Sequence, residues 1–455
     1  MQLDSRNIIN ILIALFITVL LGMYSDLENN SIYGIGIFTY FLLKLYTGIG
    51  KLIDIRDIMI VLAYLQWIIG PILTYKFNNE DVIFFMEVEE ATYMSYVLPA
   101  TLALTIGLYL PIFRYKLDYK KTLEKISIFL AKNPQVDIAL VIAGIVSYYA
   151  SFVVPASLYF VFYLLACLRF VGVFFLLIGK RKFRWWIIIG VLIMQFSTAV
   201  EFGMFHDLVL WFSFTYIIIA YRIQIKPIVK VISACILILF VSIVQTVKTQ
   251  FRAVAWQDRS ISVYFEIVQE NIDNEFIYSE FNRNSFIRRI NQGWIISKII
   301  NYMPTVEPFS NGESIYLGLK ESLLPRFLYD KVVFTGQSPY FTKYTGYKLA
   351  RGTSMDLSVV GEAYANFGPE NGTIFMFIFG LFFNLVLYLM LKISNNYPTV
   401  ILWMPFIFLE VVKAENNFAT SFNYFIKAIF FLTFFYTVLI YVFGINLKFS
   451  ESEDS

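Results

Sequence analysis

Arginine is concentrated in one stretch of this 455-residue chain, between residues 247 and 371. The stretch holds seven of the fourteen arginines and six lysines, whereas the rest of the chain has seven arginines and sixteen lysines. A guanidinium is a planar fork of donors that grips phosphate oxygens in pairs. The enrichment predicts a phosphate or diphosphate site, although thirteen acidic residues in the same stretch also allow ordinary structural ion pairs. The seven are Arg252, Arg259, Arg283, Arg288, Arg289, Arg326 and Arg351.

Three short strings carry this signal most strongly: KTQFR at 248–252, LPRF at 324–327 and SMDLSVVGEAYANFG at 354–368. The third contains Glu362 among small and aromatic residues, just before a long apolar run. A carboxylate in that place can act as a general base for a hydroxyl, or it can cap and balance a neighbouring arginine. Residue types and spacing leave both roles open. Glu370 follows in a Pro-Glu-Asn-Gly turn, where a helix-start or solvated role is favoured.

Histidine and cysteine offer little chemistry. The single histidine, His206, precludes zinc sites built on several histidines, and a hydrogen-bonding or helix-start role is favoured for it over that of a base. Cys167 and Cys235 lie inside apolar runs and read as small core residues. We therefore predict no metal and no cofactor.

The composition indicates the class of protein that positions these residues. Hydrophobic residues make up 58% of the chain, charged residues only 15%, and the mean hydropathy is +0.66. A soluble domain has fewer apolar and more charged residues, so the composition predicts an all-α polytopic membrane protein and excludes soluble enzyme folds for most of the chain. The net charge of +3 gives no reason to expect nucleic acid as a partner.

About twelve apolar stretches are long enough to cross the roughly 30 Å of bilayer hydrocarbon. They are 7–23, 31–48, 57–75, 95–113, 137–154, 157–178, 185–200, 205–221, 229–246, 372–391, 397–412 and 423–444. Basic residues alternate between the short loops in a way that places both termini in the cytoplasm. The chain then divides into an N-terminal bundle (1–246), a large outer segment (247–371) and C-terminal spans with a short tail (372–455).

The outer segment is too long for a structureless loop, so it should be folded and partly helical. One amphipathic helix is predicted from Ser285 to Ile300, lying against the membrane or the bundle. A second short helix should begin at Asn311-Gly312-Glu313 and end near Pro325. The stretch around Gly336, Gly346 and Gly352 is typical of a loop.

Read in order, KTQFR, FNRNSFIRR (281–289), ESLLPRFLYDK (321–331) and above all SVVGEAYANFGPENG (358–372) resemble the Wzy-type polymerases of oligosaccharide repeat units in bacterial O-antigen and capsule synthesis. The specific strings cover about residues 248–372, while the resemblance in overall plan covers the chain. One departure is the absence of the tryptophan and Lys-Pro that often follow the Pro-Arg of the family. Tyr329 to Val332 stand there instead, which leaves the role of Lys331 open.

The resemblance implies a fold similar to the GT-C class and a metal-independent inverting glycosyl transfer in the bacterial inner membrane. The donor would be a growing glycan on polyprenyl (undecaprenyl) diphosphate, and the acceptor a sugar hydroxyl of another lipid-linked unit. Arg252, Arg289 and Arg326 would hold the diphosphate, with Arg283 and Arg288 in reserve, and Glu362 would serve as base or position the acceptor. Membrane lipids and a chain-length regulator would be partners.

Three other functions remain open, and one is that of a receptor or structural membrane protein, which a set of arginines does not exclude. A flippase or transporter of lipid-linked sugars predicts charges along a central path and helices broken within the membrane. An O-antigen ligase would use the same donor and differ only in its acceptor. Apart from Arg169 in the middle of a span, the spans carry little charge, which favours the transferase.

Overall fold

The computed structural model shows a helical protein, with no β-strand in the part of the chain that it describes. The described residues are 5–51, 53–77, 84–112, 117–202, 205–254, 261–273, 280–324, 338–350 and 353–449. A largely apolar chain satisfies its backbone donors and acceptors within helices, as a bilayer requires. The predicted all-α class is therefore confirmed.

Twenty α-helices, numbered in chain order, make up the described fold. They are α1 Ser5–Tyr24, α2 Asn29–Gly48, α3 Ile55–Tyr64, α4 Gly70–Phe77, α5 Glu90–Tyr109, α6 Tyr119–Lys132, α7 Val136–Ala150, α8 Tyr159–Ala166, α9 Leu168–Ile178, α10 Arg184–Phe202, α11 His206–Ile223, α12 Pro227–Val254, α13 Ile261–Asp273, α14 Glu280–Ile290, α15 Gly293–Tyr302, α16 Glu313–Leu323, α17 Ser338–Thr345, α18 Val359–Asn396, α19 Met404–Ile407 and α20 Phe418–Tyr441. A π-helical turn, Leu65–Ile69, joins α3 to α4, and 3₁₀ turns cover Ala156–Leu158 and Pro398–Trp403.

Six described helical stretches are long and apolar enough to cross a membrane, or seven if α6 and α7, bent by 84°, count as one span. The six are Asn7–Tyr24, Ile55–Phe77, Glu90–Tyr109, Ala156–Ile178, Val359–Asn396 and Phe418–Tyr441. The chain thus has the helices of a membrane protein. The count of twelve spans and the orientation of the termini stay predictions.

The tenth predicted span begins earlier than its hydropathy indicates. The hydropathy predicts a start at residue 372, whereas α18 begins at Val359 and includes the GEAYANFG string. Gly368 interrupts the helix with φ of 72° and ψ of −174°, a conformation that favours glycine, and Pro369 follows. The first turns of α18, before Gly368, are therefore bent away from the rest of the helix and hold Glu362 in the bundle.

Between α18 and α20 the chain returns without a regular long helix. The starts of α18 and α20 meet where Glu362 accepts a hydrogen bond from the Phe418 backbone, and their far ends are joined through Thr399 and Tyr436. The two helices therefore run in the same direction, and residues 397–409 lead back between them. This return contains the Pro398–Trp403 turn and α19, and its residues are almost all buried. Irregular backbone is tolerated in a membrane protein when other helices shield it.

The described parts of residues 247–371 are largely helical, as predicted, but the details differ. The single amphipathic helix expected from Ser285 to Ile300 is wrong, because the chain breaks at Asn291-Gln292 between α14 and α15. Of the two placements expected for it, against the membrane or against the bundle, the second holds for α15, which packs into the bundle with Trp294, Ile296 and Ile299 buried. The second helix is confirmed as α16, and α17 occupies part of the stretch read as loop.

Candidate functional site

A polar loop, residues 410–417 (the 410–417 loop), follows the irregular return and precedes α20. Its sequence, EVVKAENN, places charged and amide groups between two apolar runs. Asn417 caps α20 by accepting a hydrogen bond from the Thr420 N–H at 2.8 Å, and Asn416 donates to the Glu410 carboxylate at 2.7 Å. These bonds hold a buried, irregular backbone in one conformation, so its charged side chains have fixed directions.

Glu415 of this loop brings together a histidine and an arginine from distant parts of the chain. Its Oε1 lies 2.6 Å from Nδ1 of His206, the first residue of α11, and its Oε2 lies 3.2 Å from Nη2 of Arg289 near the end of α14. The side chains of His206 and Arg289 are 19% and 31% exposed, so both are partly open to solvent. Burial raises the pKa of Glu415, but the neighbouring His206 imidazole and Arg289 guanidinium outweigh this effect and hold that pKa well below its usual range.

Glu415 also determines the proton arrangement on His206. A carboxylate oxygen at 2.6 Å from Nδ1 requires that Nδ1 carry the hydrogen and donate it. In the neutral imidazole the other nitrogen, Nε2, then has a free lone pair. A histidine oriented by a carboxylate in this way is suited to accept a proton from a hydroxyl.

A second ion cluster holds the same loop against α11. The Lys413 ammonium is buried and lies 2.6 Å from Oδ1 of Asp207 and 2.5 Å from Oε1 of Glu410. Asp207 is the neighbour of His206 on α11, and Lys413 is two residues from Glu415. The cluster therefore ties the beginning of α11 to the 410–417 loop next to the His206–Glu415 pair.

Glu362, the residue we predicted as base or positioning group, is completely buried. One carboxylate oxygen accepts hydrogen bonds from Ser314 Oγ at 2.6 Å and Tyr340 Oη at 2.8 Å, and the other accepts from the Phe418 N–H at 2.6 Å. It thus joins α16, α17 and the start of α20, where a negative charge also complements the helix dipole. These contacts favour a positioning role.

Asp356 approaches the same helix start from the preceding loop. Its carboxylate accepts a hydrogen bond from Thr420 Oγ1 at 3.0 Å, and burial raises the pKa of Asp356 to about 6. Two carboxylates from the 354–368 string therefore hold the first turn of α20.

Of the five arginines predicted to bind diphosphate, the structure describes the side chains of two. Arg289 belongs to the cluster with Glu415, and the guanidinium of the adjacent Arg288 lies 5.7 Å from the centre of the Phe84 ring. Arg252 and Arg283 lie on α12 and α14, but their side chains are outside the described part of the chain, and Arg326 lies wholly outside it. Their roles stay predictions.

Comparison of the chain with protein-family models, with curated proteins and with solved structures finds no match.

The π-helical turn Leu65–Ile69 anchors both sides of this site. The Gln66 carbonyl accepts the Gln292 N–H at 3.0 Å, three residues after Arg289, and the Trp67 indole N–H donates to the Ala414 carbonyl at 3.0 Å, next to Glu415. At Gly70 a Cβ would lie 2.4 Å from the Ile290 carbonyl oxygen, so only glycine allows this approach. A π-turn frees carbonyls from the regular helical pattern and is frequent at functional sites.

Sequence reasoning missed Glu415, Lys413 and Trp67. The role favoured for His206, hydrogen bonding or a helix start, agrees with its place at the beginning of α11 and its contact with Glu415. The signal available was the dense polar string EVVKAENN between apolar runs, which we treated as the end of a span and a short loop. Among the described residues, no three His, Cys, Asp or Glu side chains converge as a metal site requires. The arrangement offers a proton acceptor beside a guanidinium, which suits the activation of a hydroxyl near a phosphate.

Proposed function

We propose that this protein is a polymerase of lipid-linked oligosaccharide repeat units in bacterial surface polysaccharide synthesis. The observation that carries the proposal is the meeting of His206, Glu415 and Arg289 at one end of the helical bundle. Arg289 comes from the arginine-rich segment, and the GEAYANFG string builds the helix starts beside it. The arrangement supports the polymerase function that the sequence strings suggest. We propose His206, in place of Glu362, as the general base.

In the proposed reaction, the hydroxyl oxygen of the acceptor sugar attacks the anomeric carbon of the donor glycan. The bond between that carbon and the polyprenyl diphosphate oxygen breaks, and the hydroxyl proton passes to Nε2 of His206. Glu415 stabilises the resulting imidazolium. Arg289, with Arg288 beside it, stabilises the charge that develops on the diphosphate leaving group, so that no metal is required.

The proposed fold has twelve crossings and is similar to the GT-C class. The helical stretches that pass a length and apolarity test supply six crossings. We assign the others to α2, α7, α10, α11, the apolar part of α12 and the irregular return after α18. In this arrangement residues 247–371 and the 410–417 loop face the outside of the inner membrane, where lipid-linked repeat units meet.

A flippase of lipid-linked sugars is the second candidate. Its support is the irregular return, which ends beside the buried Lys413 ammonium and its partners Glu410 and Asp207, because broken helices and ion pairs within the bundle are common in transporters. An O-antigen ligase remains the third candidate, since it would use the same site with another acceptor.

Product analysis in the native bacterium distinguishes the three functions. We expect deletion of the gene to leave single repeat units on the cell surface, and the wild-type gene to restore the polymer. A His206→Gln variant should be membrane-inserted at normal abundance and leave the same single units. Accumulation of lipid-linked polymer would indicate a ligase, and units confined to the cytoplasmic leaflet would indicate a flippase; either result would overturn the proposal.

A further inference from the structure

Two arginines meet at the end of the bundle opposite the candidate site. Helix α9 ends at Ile178, and the Gly179 carbonyl accepts hydrogen bonds from Nη1 of Arg184 at 2.6 Å and from Nη1 of Arg222 at 3.0 Å. Arg184 is the first residue of α10 and Arg222 lies in the last turn of α11. Arg222 also donates to the Leu177 carbonyl. Two guanidinium groups therefore share one carbonyl oxygen.

The two like charges have no acidic counterpart among the residues that the structure describes: no described carboxylate forms an ion pair with Arg184 or Arg222. The carboxylate nearby, Asp137, is engaged by Arg181 at 2.7 Å. Lys180 and Lys182 in the same connection are exposed and add positive charge. Like charges placed together repel each other unless an anion lies between or beside them. The remaining N–H groups of both forks are suited to phosphate oxygens.

Aromatic side chains border the arginine pair on the side of α10. Phe183 and Trp186 are 76% and 74% exposed, and Trp185 is exposed as well. Exposed tryptophans beside basic residues at the end of an apolar helix are typical of the level where lipid headgroups meet acyl chains. Arg222 is sixteen residues from His206 on α11, about 24 Å at the helical rise. This separation approaches the thickness of the bilayer hydrocarbon, so the pair lies near the opposite membrane surface from the candidate site.

We propose that Arg184 and Arg222 form a binding site for the phosphate of an anionic phospholipid headgroup. The paired forks hold the phosphodiester, Lys180 and Lys182 add attraction, and the Trp185–Trp186 edge contacts the glycerol and upper acyl region. Cytoplasmic loops of membrane proteins are generally rich in basic residues, which explains lysines at this end of the bundle. That tendency does not explain why two arginines converge on one carbonyl oxygen. The site does not depend on the function proposed for the opposite end.

The test is lipid binding by the purified full-length protein in phosphatidylcholine nanodiscs or detergent. Native mass spectrometry measures the bound phosphatidylglycerol, and thermal unfolding measures the stabilisation that it gives. We expect the wild type to prefer phosphatidylglycerol to phosphatidylcholine, and each of Arg184→Gln and Arg222→Gln to weaken that binding about fivefold, the size expected for one basic residue near a lipid surface. Lys226→Gln is the matched control, an exposed basic residue close in sequence to Arg222.

Arg222→Gln also removes the hydrogen bond to the Leu177 carbonyl and can impair folding. If this variant does not fold, Arg184→Gln and Arg184→Lys test the lipid site. Arg184→Lys keeps the charge, loses the fork and should retain part of the binding. Inorganic phosphate and glycerol phosphate are tested as free ligands. Equal stabilisation by these would show a phosphate site without lipid specificity and overturn the lipid assignment. Unchanged phosphatidylglycerol binding by Arg184→Gln, or an equal loss in Lys226→Gln, would overturn the site.

Discussion

At the scale of single residues, the two acids that matter most play different parts. Glu362 is fully enclosed and accepts three hydrogen bonds, whereas Glu415 is partly exposed and pairs with a histidine and an arginine. An enclosed carboxylate with its lone pairs engaged is poorly placed to meet a substrate hydroxyl. Glu362 therefore organises the helices around the site, and the His206–Glu415 pair is the part suited to proton transfer.

Glu362→Gln should lower the stability of the protein and its polymer yield together. The amide has one acceptor oxygen in place of two and no charge for the Phe418 N–H, so we expect a loss of about 1.5–3 kcal/mol, the range for hydrogen bonds to a charged group. Thermal unfolding in nanodiscs measures the loss, and Tyr340→Phe, which removes one of the three bonds, should show a smaller one. Unchanged stability with turnover reduced by about 10²–10⁴ would restore the role of Glu362 as base.

The sequence predicts those residues of the site whose signal lies within one short stretch of the chain. The arginines of residues 247–371 and the GEAYANFG string stand out by composition, and Arg289 and Glu362 lie at the same end of the bundle. The partnership of His206 with Glu415 joins residues 209 positions apart, so no local pattern contains it. Only the packing of α11 against the return after α18 makes it visible.

At the scale of elements, the π-helical turn at Leu65–Ile69 connects the two halves of the site. One of its backbone carbonyls holds the break between α14 and α15, and its tryptophan holds the 410–417 loop. Hydropathy predicted the span around it correctly but could not show the turn, because a π-turn leaves the apolar character of a span unchanged. The break at Asn291-Gln292 was missed for a related reason: a helical apolar pattern continues across it.

Trp67→Phe should loosen the contact between Arg289 and Glu415 without unfolding the bundle. Phenylalanine keeps an aromatic ring and loses the N–H that binds the Ala414 carbonyl, a hydrogen bond worth about 0.5–1.5 kcal/mol. The measurement is the rate of disulfide formation between Arg289→Cys and Glu415→Cys, with and without Trp67→Phe. This rate reports position and does not require activity.

We expect Trp67→Phe to slow the cross-linking several-fold at unchanged thermal stability. Trp403→Phe is the control, a buried tryptophan outside the π-turn. An unaltered cross-linking rate in Trp67→Phe would show that the π-turn does not position the pair.

At the scale of the whole molecule, two groups of charged residues lie at opposite ends of the bundle. His206, Arg289, Glu362 and Glu415 lie at one end, and the Arg184–Arg222 pair lies at the other. This grouping agrees with the alternation of basic loops along the sequence. The charge pattern predicts that the end with Arg184 and Arg222 faces the cytoplasm.

Cysteine labelling in intact cells should place the two ends on opposite sides of the membrane. In a Cys235→Ala background, we expect Val306→Cys, at a side chain 65% exposed, to react with a membrane-impermeant reagent. Lys120→Cys, on α6, should react only after permeabilisation. The reverse pattern would invert the protein and place the candidate site in the cytoplasm.

The most direct test of the proposed function is chain elongation by purified protein in nanodiscs supplied with lipid-linked repeat units. His206→Gln keeps a donor for Glu415 and removes the base, so elongation should fall by about 10²–10⁴ while donor-lipid binding stays near normal. Glu313→Gln, which breaks the exposed pair with Lys343, is the matched control and should elongate as wild type. Elongation by a folded His206→Gln variant at the wild-type rate would contradict the account.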